Sequence, residues 1–220
     1  MLRRLFRGPA IAGALLLLLA SAGCTALGPT SGRLTSGRPM SGRPMMASQS
    51  APPFVPGVPV AEITSASRCL TRSVHLDAPR EQVFATLTDF ESMPDWMPGL
   101  SGITADHSSS STPGRCGVGT QRTCRAPGMT LHEEVVHYEY PTAYAYRMTS
   151  SEGAAVPLRE GVGIVHLEDS PGGGTDLTYH VLYETKTLHP MGAIFPTMVN
   201  RQLGDGLENL AGRFGGTVTK

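Results

Sequence analysis

The stretch DAPREQVFATLTDFESMPDWMPGL, residues 77–100, joins a helical pattern to a short segment rich in Met, Trp and Pro. Its first half predicts an amphipathic helix over residues 77–90, with Asp77 as the cap and Pro79 in the first turn, where a missing N–H is tolerated. The apolar side chains form one stripe at helical spacing: Val83, Phe84, Leu87 and Phe90. The helix therefore has one face to bury, and Pro94 ends its continuation.

The second half of this stretch, MPDWMP, contains Trp96, the one tryptophan of the chain. A short segment broken by Pro94 and Pro98 is unusual as ordinary core. The question that this segment raises is what Trp96 faces.

The composition is that of one globular domain with appended segments. The chain has 220 residues, and its 18 Lys and Arg balance its 18 Asp and Glu, so the formal net charge is zero. Proteins that bind nucleic acid usually carry a basic surface, which this balance does not suggest, so we expect no nucleic-acid partner. A domain of about 150 residues buries roughly 70% of its unfolded surface, which is enough for a stable core.

The first 23 residues resemble a bacterial signal peptide. Arginines precede the apolar run IAGALLLLLA, which is too short to span a bilayer as a finished helix. The following SAGC resembles a lipobox and predicts Cys24 as the lipidated residue, with Ser21 where that pattern usually has Leu. Ordinary cleavage after Ala22, giving a secreted protein, and an uncleaved anchor are the alternatives. All three place the mature protein outside the cytoplasm, and the first makes a membrane its partner through the N-terminal lipid.

Residues 24–63 are rich in Ser, Gly, Pro and Arg, and an SGR unit occurs there three times. Such a composition buries too little apolar surface to offset the entropy of ordering the chain. We therefore predict a disordered tether over residues 24–63, a folded domain over 64–215 and a short tail over 216–220.

The predicted domain contains three cysteines, Cys69, Cys116 and Cys124. Outside the cytoplasm thiols can oxidise, and an odd number allows at most one disulfide. No pair has metal-ligand spacing. Two alternatives remain open for these cysteines: one disulfide with one free thiol, or three small buried thiols.

About six antiparallel strands are expected between residues 100 and 186, after a first strand and the helix. Turn-forming residues at 126–128, 140–142 and 171–174 separate them. In the segment 114–125, Arg122 and Cys124 share one face. The predicted strand segments, including the first, are residues 67–76, 114–125, 131–140, 143–150, 161–168 and 175–185.

The segment 191–214 predicts a long C-terminal helix. Its apolar side chains recur at helical spacing: Val199, Leu203, Leu207, Leu210 and Phe214. Pro196 is expected to bend the first turns, and Gly215 to stop the helix. An antiparallel sheet with one apolar face needs a cover, and this helix is the one element long enough to supply it. The fold class is therefore α+β.

In their order and spacing these motifs resemble the START-like, or helix-grip, superfamily (SRPBCC), close to its polyketide cyclase/dehydrase and coenzyme-Q-binding branches. The resemblance covers residues 67–214. It is carried by DAPREQVFATLTDFESMPDWMPGL, GVGTQR, HEEVVHYEYPTAYAYRM, GGTDLTY and LGDGLENLA. It implies a helix-grip fold, in which a curved antiparallel sheet of about seven strands wraps around the C-terminal helix. It also implies a cavity between the two that holds an apolar small molecule or lipid. On this resemblance Trp96 lies at the cavity rim and faces the entrance or the ligand; the alternative is that Trp96 closes one end of the hydrophobic core.

The expected cavity wall combines one arginine with aromatic and apolar residues. If alternation places Arg122 inward, it either meets an anionic or carbonyl group of the ligand or pairs with Glu133 or Glu134 on the next strand; otherwise it is solvated. Four tyrosines on the predicted strands either donate hydrogen bonds into the cavity or are ordinary sheet residues with their hydroxyls at the surface: Tyr144, Tyr146, Tyr179 and Tyr183. The expected ligand-binding residues are Trp96, Leu100, Arg122, Tyr146, Met148, Tyr179, Phe195 and Met198.

The sequence contains no nucleophile elbow, phosphate-binding loop or Cys–His signature, so we expect no cofactor and assign no catalytic residue. His132, His166 and His180 fall on three candidate strands without ligand spacing, and no metal is expected. Adjacent residues of a strand face opposite ways, so Glu133 and Glu134 are not an acid/base pair.

The leading hypothesis is therefore a lipid-anchored protein of the cell envelope that binds a hydrophobic small molecule or lipid. One alternative is a cyclase- or dehydratase-like enzyme for a polyketide-type substrate, in which Arg122 or a tyrosine polarises a carbonyl. Another is a protein-interaction module whose cavity is filled with side chains.

Overall fold

The computed structural model describes residues 53–153, 156–186, 188–189 and 191–219. The predicted signal peptide and most of the predicted tether lie outside the described residues, as does Cys24. Within the described part, the elements in chain order are α1 Val60–Ile63, β1 Arg68–Leu76, α2 Arg80–Thr88, a 3₁₀ helix Phe90–Asp95, β2 Gly102–Asp106, β3 Gln121–Ala126, β4 Met129–Glu139, β5 Ala143–Glu152, β6 Leu158–Asp169, β7 Thr175–Thr185, α3 Phe195–Phe214 and β8 Gly216–Thr219.

The strands form one antiparallel sheet in the order β2-β3-β4-β5-β6-β7-β1-β8. Strand β1 lies between β7 and β8, so the first and last strands of the domain are neighbours. Helix α3 packs along the curved sheet and contacts β1 and β8. The predicted helix-grip fold is confirmed, with eight strands where about seven were expected.

The main core lies between α3, α2, the 3₁₀ helix and the inner face of the sheet. The predicted stripes of both helices are buried there, Val83, Phe84 and Leu87 on α2 and Leu203, Leu207 and Leu210 on α3. The expectation that the long C-terminal helix covers the apolar face of the sheet is therefore correct, and α2 adds to this cover.

The outer face of the sheet is also covered. Val55, Val58 and Val60 pack against β5, β6 and β7, where Ala145 and Ile164 point away from the main core. The predicted tether boundary at residue 63 is therefore too late, because the last residues of that segment belong to the domain. An apolar strip of the sheet recruits them, which a composition average over the whole tether does not show.

Other sequence expectations need correction. Asp77 does not cap α2: its carboxylate lies 3.3 Å from His75 Nε2, and Pro79 occupies the cap position. Residues 114–120 form turns, so only the second half of the predicted strand 114–125 exists. Residues 216–219 of the predicted tail pair with β1 as β8. Pro196 lies in the first turn of α3, where no backbone hydrogen bond is lost and no bend is required.

The buried stripe of α3 gives a direct test of this packing. Leu207 is fully buried, so Leu207→Ala should lower the free energy of unfolding by about 2–5 kcal/mol through lost burial and a residual cavity. Its exposed neighbour is the control: Glu208→Ala should change stability by less than about 0.5 kcal/mol. Urea unfolding followed by circular dichroism measures both, and equal effects would contradict the packing of α3.

Candidate ligand-binding site

A cavity of about 160 Å³ lies between the inner face of the sheet and the first half of α3. Its wall includes Met198, whose side chain is 41% exposed, so the cavity reaches the surface at the start of α3. Its wall also includes Arg122, which is almost fully buried. The site therefore runs from an apolar rim to a buried polar end.

Most of the cavity wall is formed by apolar side chains. Helix α3 contributes Phe195, Met198, Val199 and Leu203, and the sheet contributes Met129, Leu131, Met148, Leu158 and Val181. Five of the ten methionines of the chain line the cavity, counting Met93 and Met97. Methionine side chains are flexible and polarisable, and such a wall adapts to ligands of different outline.

The residues of the MPDWMP segment have different environments. Met93 and Met97, together with Leu100 just after the segment, line the cavity, but Trp96 is buried in the main core and is not part of the cavity wall. The assignment of Trp96 to the ligand is therefore wrong, and the alternative that it closes the core fits. Two side chains of α3 hold this segment in place: Asn209 Nδ2 donates to the Trp96 carbonyl at 2.9 Å, and Gln202 Nε2 to that of Pro98 at 2.7 Å.

A glycine on α3 lets this segment approach closely. A Cβ atom at Gly206 would lie 2.9 Å from Met97 Sδ, which is too close for an ordinary contact. The close neighbour of Gly206 is therefore Met97, which follows the 3₁₀ helix. Gly204 has no such neighbour among the described residues.

A buried ion pair forms the polar end of the cavity. Arg122 Nε donates to Glu133 Oε2 at 2.7 Å, and the two side chains are 2% and 9% exposed. The guanidinium carbon lies 3.7 Å from the centre of the Tyr146 ring and 4.6 Å from that of Phe90. Burial is the largest single effect and disfavours the charged guanidinium, but the adjacent Glu133 carboxylate together with smaller contributions from neighbouring groups more than offsets it, so the pKa of Arg122 is raised. Arg122 therefore remains a cation inside the protein.

One buried nitrogen of this guanidinium makes no hydrogen bond to the described residues. Arg122 Nη1 is buried and has no hydrogen-bond partner among the described residues. An unpartnered buried donor costs free energy that a bound acceptor would recover. Arg122 therefore pairs with Glu133, as one of the alternatives drawn from the sequence has it, and the residue also lines the cavity.

Two tyrosines complete the polar end. The hydroxyls of Tyr146 and Tyr179 are hydrogen-bonded to each other, and burial is the main cause that raises the pKa of both. Both phenols are therefore protonated and neutral. Tyr146 crosses the neighbouring strand at Gly163, where a Cβ would lie 2.1 Å from its ring, so this position requires glycine.

The cysteines are free thiols in the described domain. Cys124 Sγ donates to Glu133 Oε2 at 3.2 Å, and burial raises its pKa, with Glu133 adding to the effect. Burial also raises the pKa of Cys116 to about 11. Neither is a thiolate at neutral pH, so neither acts as a nucleophile there.

Seven of the eight expected ligand-binding residues line the cavity, and Trp96 is the exception. Glu133, Met93, Met97, Cys124 and Val199 also line it and were not predicted as ligand contacts. The sequence does contain a pattern from which the position of Glu133 opposite Arg122 could have been predicted. Pro127 and Gly128 suit the two central positions of a type II turn, and a two-residue turn there places Arg122 opposite Glu133.

The three histidines considered as metal ligands do not form a cluster of three: His166 and His180 are diagonal neighbours on the paired strands β6 and β7, whereas His132 lies on β4. His132 hydrogen-bonds to Thr123 and lies 3.3 Å from Glu152, while His180 hydrogen-bonds to Thr71. Within the described residues, no group of three or more His, Cys, Asp or Glu side chains is arranged to hold a metal ion.

The sequence profile of the family described as "Polyketide cyclase / dehydrase and lipid transport" matches residues 67–215. The chain belongs to this family. The match covers every strand of the sheet except β8, together with α2 and α3. A search of curated proteins found no significant match.

Solved structures with the same fold are known. Ara h 8.0201 aligns with a TM-score of 0.51 and 19% identity, covering 67% of this chain and 97% of its own. The protein XoxI from Bacillus cereus aligns with a TM-score of 0.51 and 19% identity, covering 66% and 94%. At this identity the likeness concerns the fold alone. A START superfamily protein from Mycobacterium smegmatis gives a TM-score of 0.49 at 19% identity, over 66% and 96%.

None of the helices in the described part of the chain combines the length and apolar character needed to cross a membrane.

Two neighbouring ion pairs allow the buried one to be tested against an exposed one. Arg122→Ala leaves Glu133 buried without its partner and should lower stability by about 3–5 kcal/mol. Arg147→Ala removes the partner of Glu134 on the solvent side, at 3.5 Å, and should cost about 0–1 kcal/mol. Denaturant unfolding measures both.

The double variant Arg122→Met/Glu133→Leu checks the cause of this loss. It removes both charges and should recover most of the stability lost in Arg122→Ala. Equal losses for the two single alanine variants would contradict a desolvated pair at the cavity.

Proposed function

We propose that the protein binds an apolar small molecule, or one chain of a lipid, in the cavity between the sheet and α3. The observation that carries this proposal is the pairing of an apolar, methionine-rich wall with a buried donor, Arg122 Nη1, that has no partner in the described chain. Apolar burial supplies affinity at about 25 cal/mol per Å², and a few polar groups orient the ligand. Membership of a family described by both cyclase chemistry and lipid transport supports the same kind of ligand.

The size of the cavity limits what is enclosed. A volume of about 160 Å³ is close to that of an engineered apolar cavity of about 150 Å³ that holds benzene. A short aliphatic chain or a single ring therefore fits completely. A longer ligand places its polar end near Arg122 and extends past the exposed Met198 at the rim.

We also propose that the domain works outside the cytoplasm, held at a membrane by lipid on Cys24. Support comes from the sequence: an arginine-led apolar run followed by SAGC, then a linker of low apolar content. Such an anchor keeps a binding cavity next to a source of apolar ligand.

The polar end also favours a second candidate, a cyclase- or dehydratase-like reaction on a polyketide-type substrate. Arg122 and a neutral phenol of the Tyr146–Tyr179 pair are both donors, and donors of this kind stabilise negative charge on a carbonyl oxygen. Turnover of a bound substrate distinguishes this activity from simple binding.

The cavity is tested by filling it. Val199 lines the cavity on α3, so Val199→Phe should weaken ligand binding about tenfold or more, equivalent to about 1.4 kcal/mol. Native mass spectrometry of the full chain from its own host, with organic extraction, should show a bound apolar molecule that Val199→Phe has lost. Calorimetric titration with octanol measures the loss of affinity.

The control is Thr197→Phe, an equal change at an exposed β-branched residue of the same helix that is not part of the wall. It should keep the bound molecule and the affinity for octanol. A bare chain mass with no heat of octanol binding in the unmodified protein would overturn the proposal. A change in the mass of the extracted molecule after incubation would favour the enzymatic alternative.

The anchor is tested separately. Cys24→Ser should move the protein from the membrane fraction to the soluble extracytoplasmic fraction and abolish incorporation of labelled palmitate, because the thioether-linked lipid has no attachment site. Cys69→Ser is the control, since that thiol lies on β1 of the domain, and it should change neither result. A soluble, unlabelled parent protein would instead support ordinary secretion.

A further inference from the structure

The cavity wall has no net charge. Its two formally charged side chains are Arg122 and Glu133, which neutralise each other in a direct ion pair. Its other titratable groups are Cys124, Tyr146 and Tyr179, and each stays protonated at neutral pH because burial raises its pKa. A ligand entering the site therefore meets polar groups, but no uncompensated charge.

The polar end nevertheless has hydrogen-bond donors available. Arg122 Nη1 has no partner among the described residues. Tyr146 and Tyr179 share one hydrogen bond between two hydroxyls, which uses one of their two protons and leaves the other for an acceptor. Arg122, Tyr146 and Tyr179 all line the cavity, so a ligand oxygen that accepts hydrogen bonds suits its polar end.

We infer that the cavity selects ligands whose polar end is an uncharged oxygen acceptor, such as a ketone or ester carbonyl, over a carboxylate of the same shape. Glu133 is the residue that sets this selectivity. A carboxylate bound at Arg122 would add a second negative charge beside Glu133, in a buried site where repulsion and desolvation are both strong. A carbonyl oxygen accepts the same hydrogen bonds without that cost.

The position of Glu133 makes this effect specific. Its Oε2 atom accepts from both Arg122 Nε and Cys124 Sγ, so the carboxylate is held within the wall. Glu134, next to it on the same strand, pairs with Arg147 on the opposite face and is absent from the wall. The two residues have the same charge and different faces, and they provide a matched pair of substitutions.

The inference rests on the proposed function and is tested with two ligands that share a heptyl chain. The full-length protein is freed of bound lipid and titrated calorimetrically at neutral pH with heptyl methyl ketone and with octanoate. The ketone should bind at least about tenfold more tightly than octanoate. Octanoate binding as tightly as the ketone, or more tightly, would overturn the inference and leave the proposed function standing. Absence of binding by both would overturn the proposed function and the inference with it.

The role of Glu133 is tested by Glu133→Gln, which removes the charge and keeps the shape of the side chain. This variant should bind octanoate at least about tenfold more tightly relative to the ketone than the unmodified protein does. Glu134→Gln should leave the ratio unchanged. An unchanged ratio in Glu133→Gln would overturn the role of Glu133. The comparison of the two ligands on the unmodified protein tests the selectivity even if the Glu133 variant does not fold.

Discussion

The arrangement of the site depends on one buried ion pair. A guanidinium taken out of water requires a counter-charge and hydrogen-bond acceptors, and Glu133 supplies both to Arg122 from the next strand. The pair in turn fixes its surroundings: the Tyr146 ring lies beside the guanidinium, and Gly163 leaves room for that ring. The polar end of the cavity is therefore positioned by the sheet, which is a rigid element, and not by loops.

The sheet can hold such a site because its two faces have separate functions. Along β4, Glu133 points to the cavity and Glu134 to the solvent side; along β5, Tyr144 and Tyr146 face inward while Ala143 and Ala145 meet the N-terminal valines. Small alanines outside and tyrosines inside explain the alternation AYAY. The outer cover formed by residues 55–60 relieves the sheet of an exposed apolar face.

Much of the fold could be predicted because it follows local patterns. The helical stripes of α2 and α3, the period-two alternation of β5 and β7 and the turn residues between the strands are each visible in a short window. The errors occur where a longer-range contact decides. Strand β8 forms because β1 presents a free edge, and residues 114–120 leave the strand pattern although their sequence continues to alternate.

The contrast between local patterns and long-range contacts also explains which residues of the site could be predicted. Alternation groups Arg122 with Cys124 on one strand face and leaves open whether that face is buried. The choice between Glu133 and Glu134 depends on the register, which the two-residue turn at Pro127–Gly128 determines. Trp96 could not be placed this way, because its environment is set by α3, more than 100 residues later, whose Asn209 holds its carbonyl. Sequence therefore predicts which residues share a strand face, and it fails for a residue packed against a distant helix. The cavity wall contains both kinds of residue. Its residues on the sheet were largely predictable, whereas Met93, on the 3₁₀ helix, and Met97, just after it, were not.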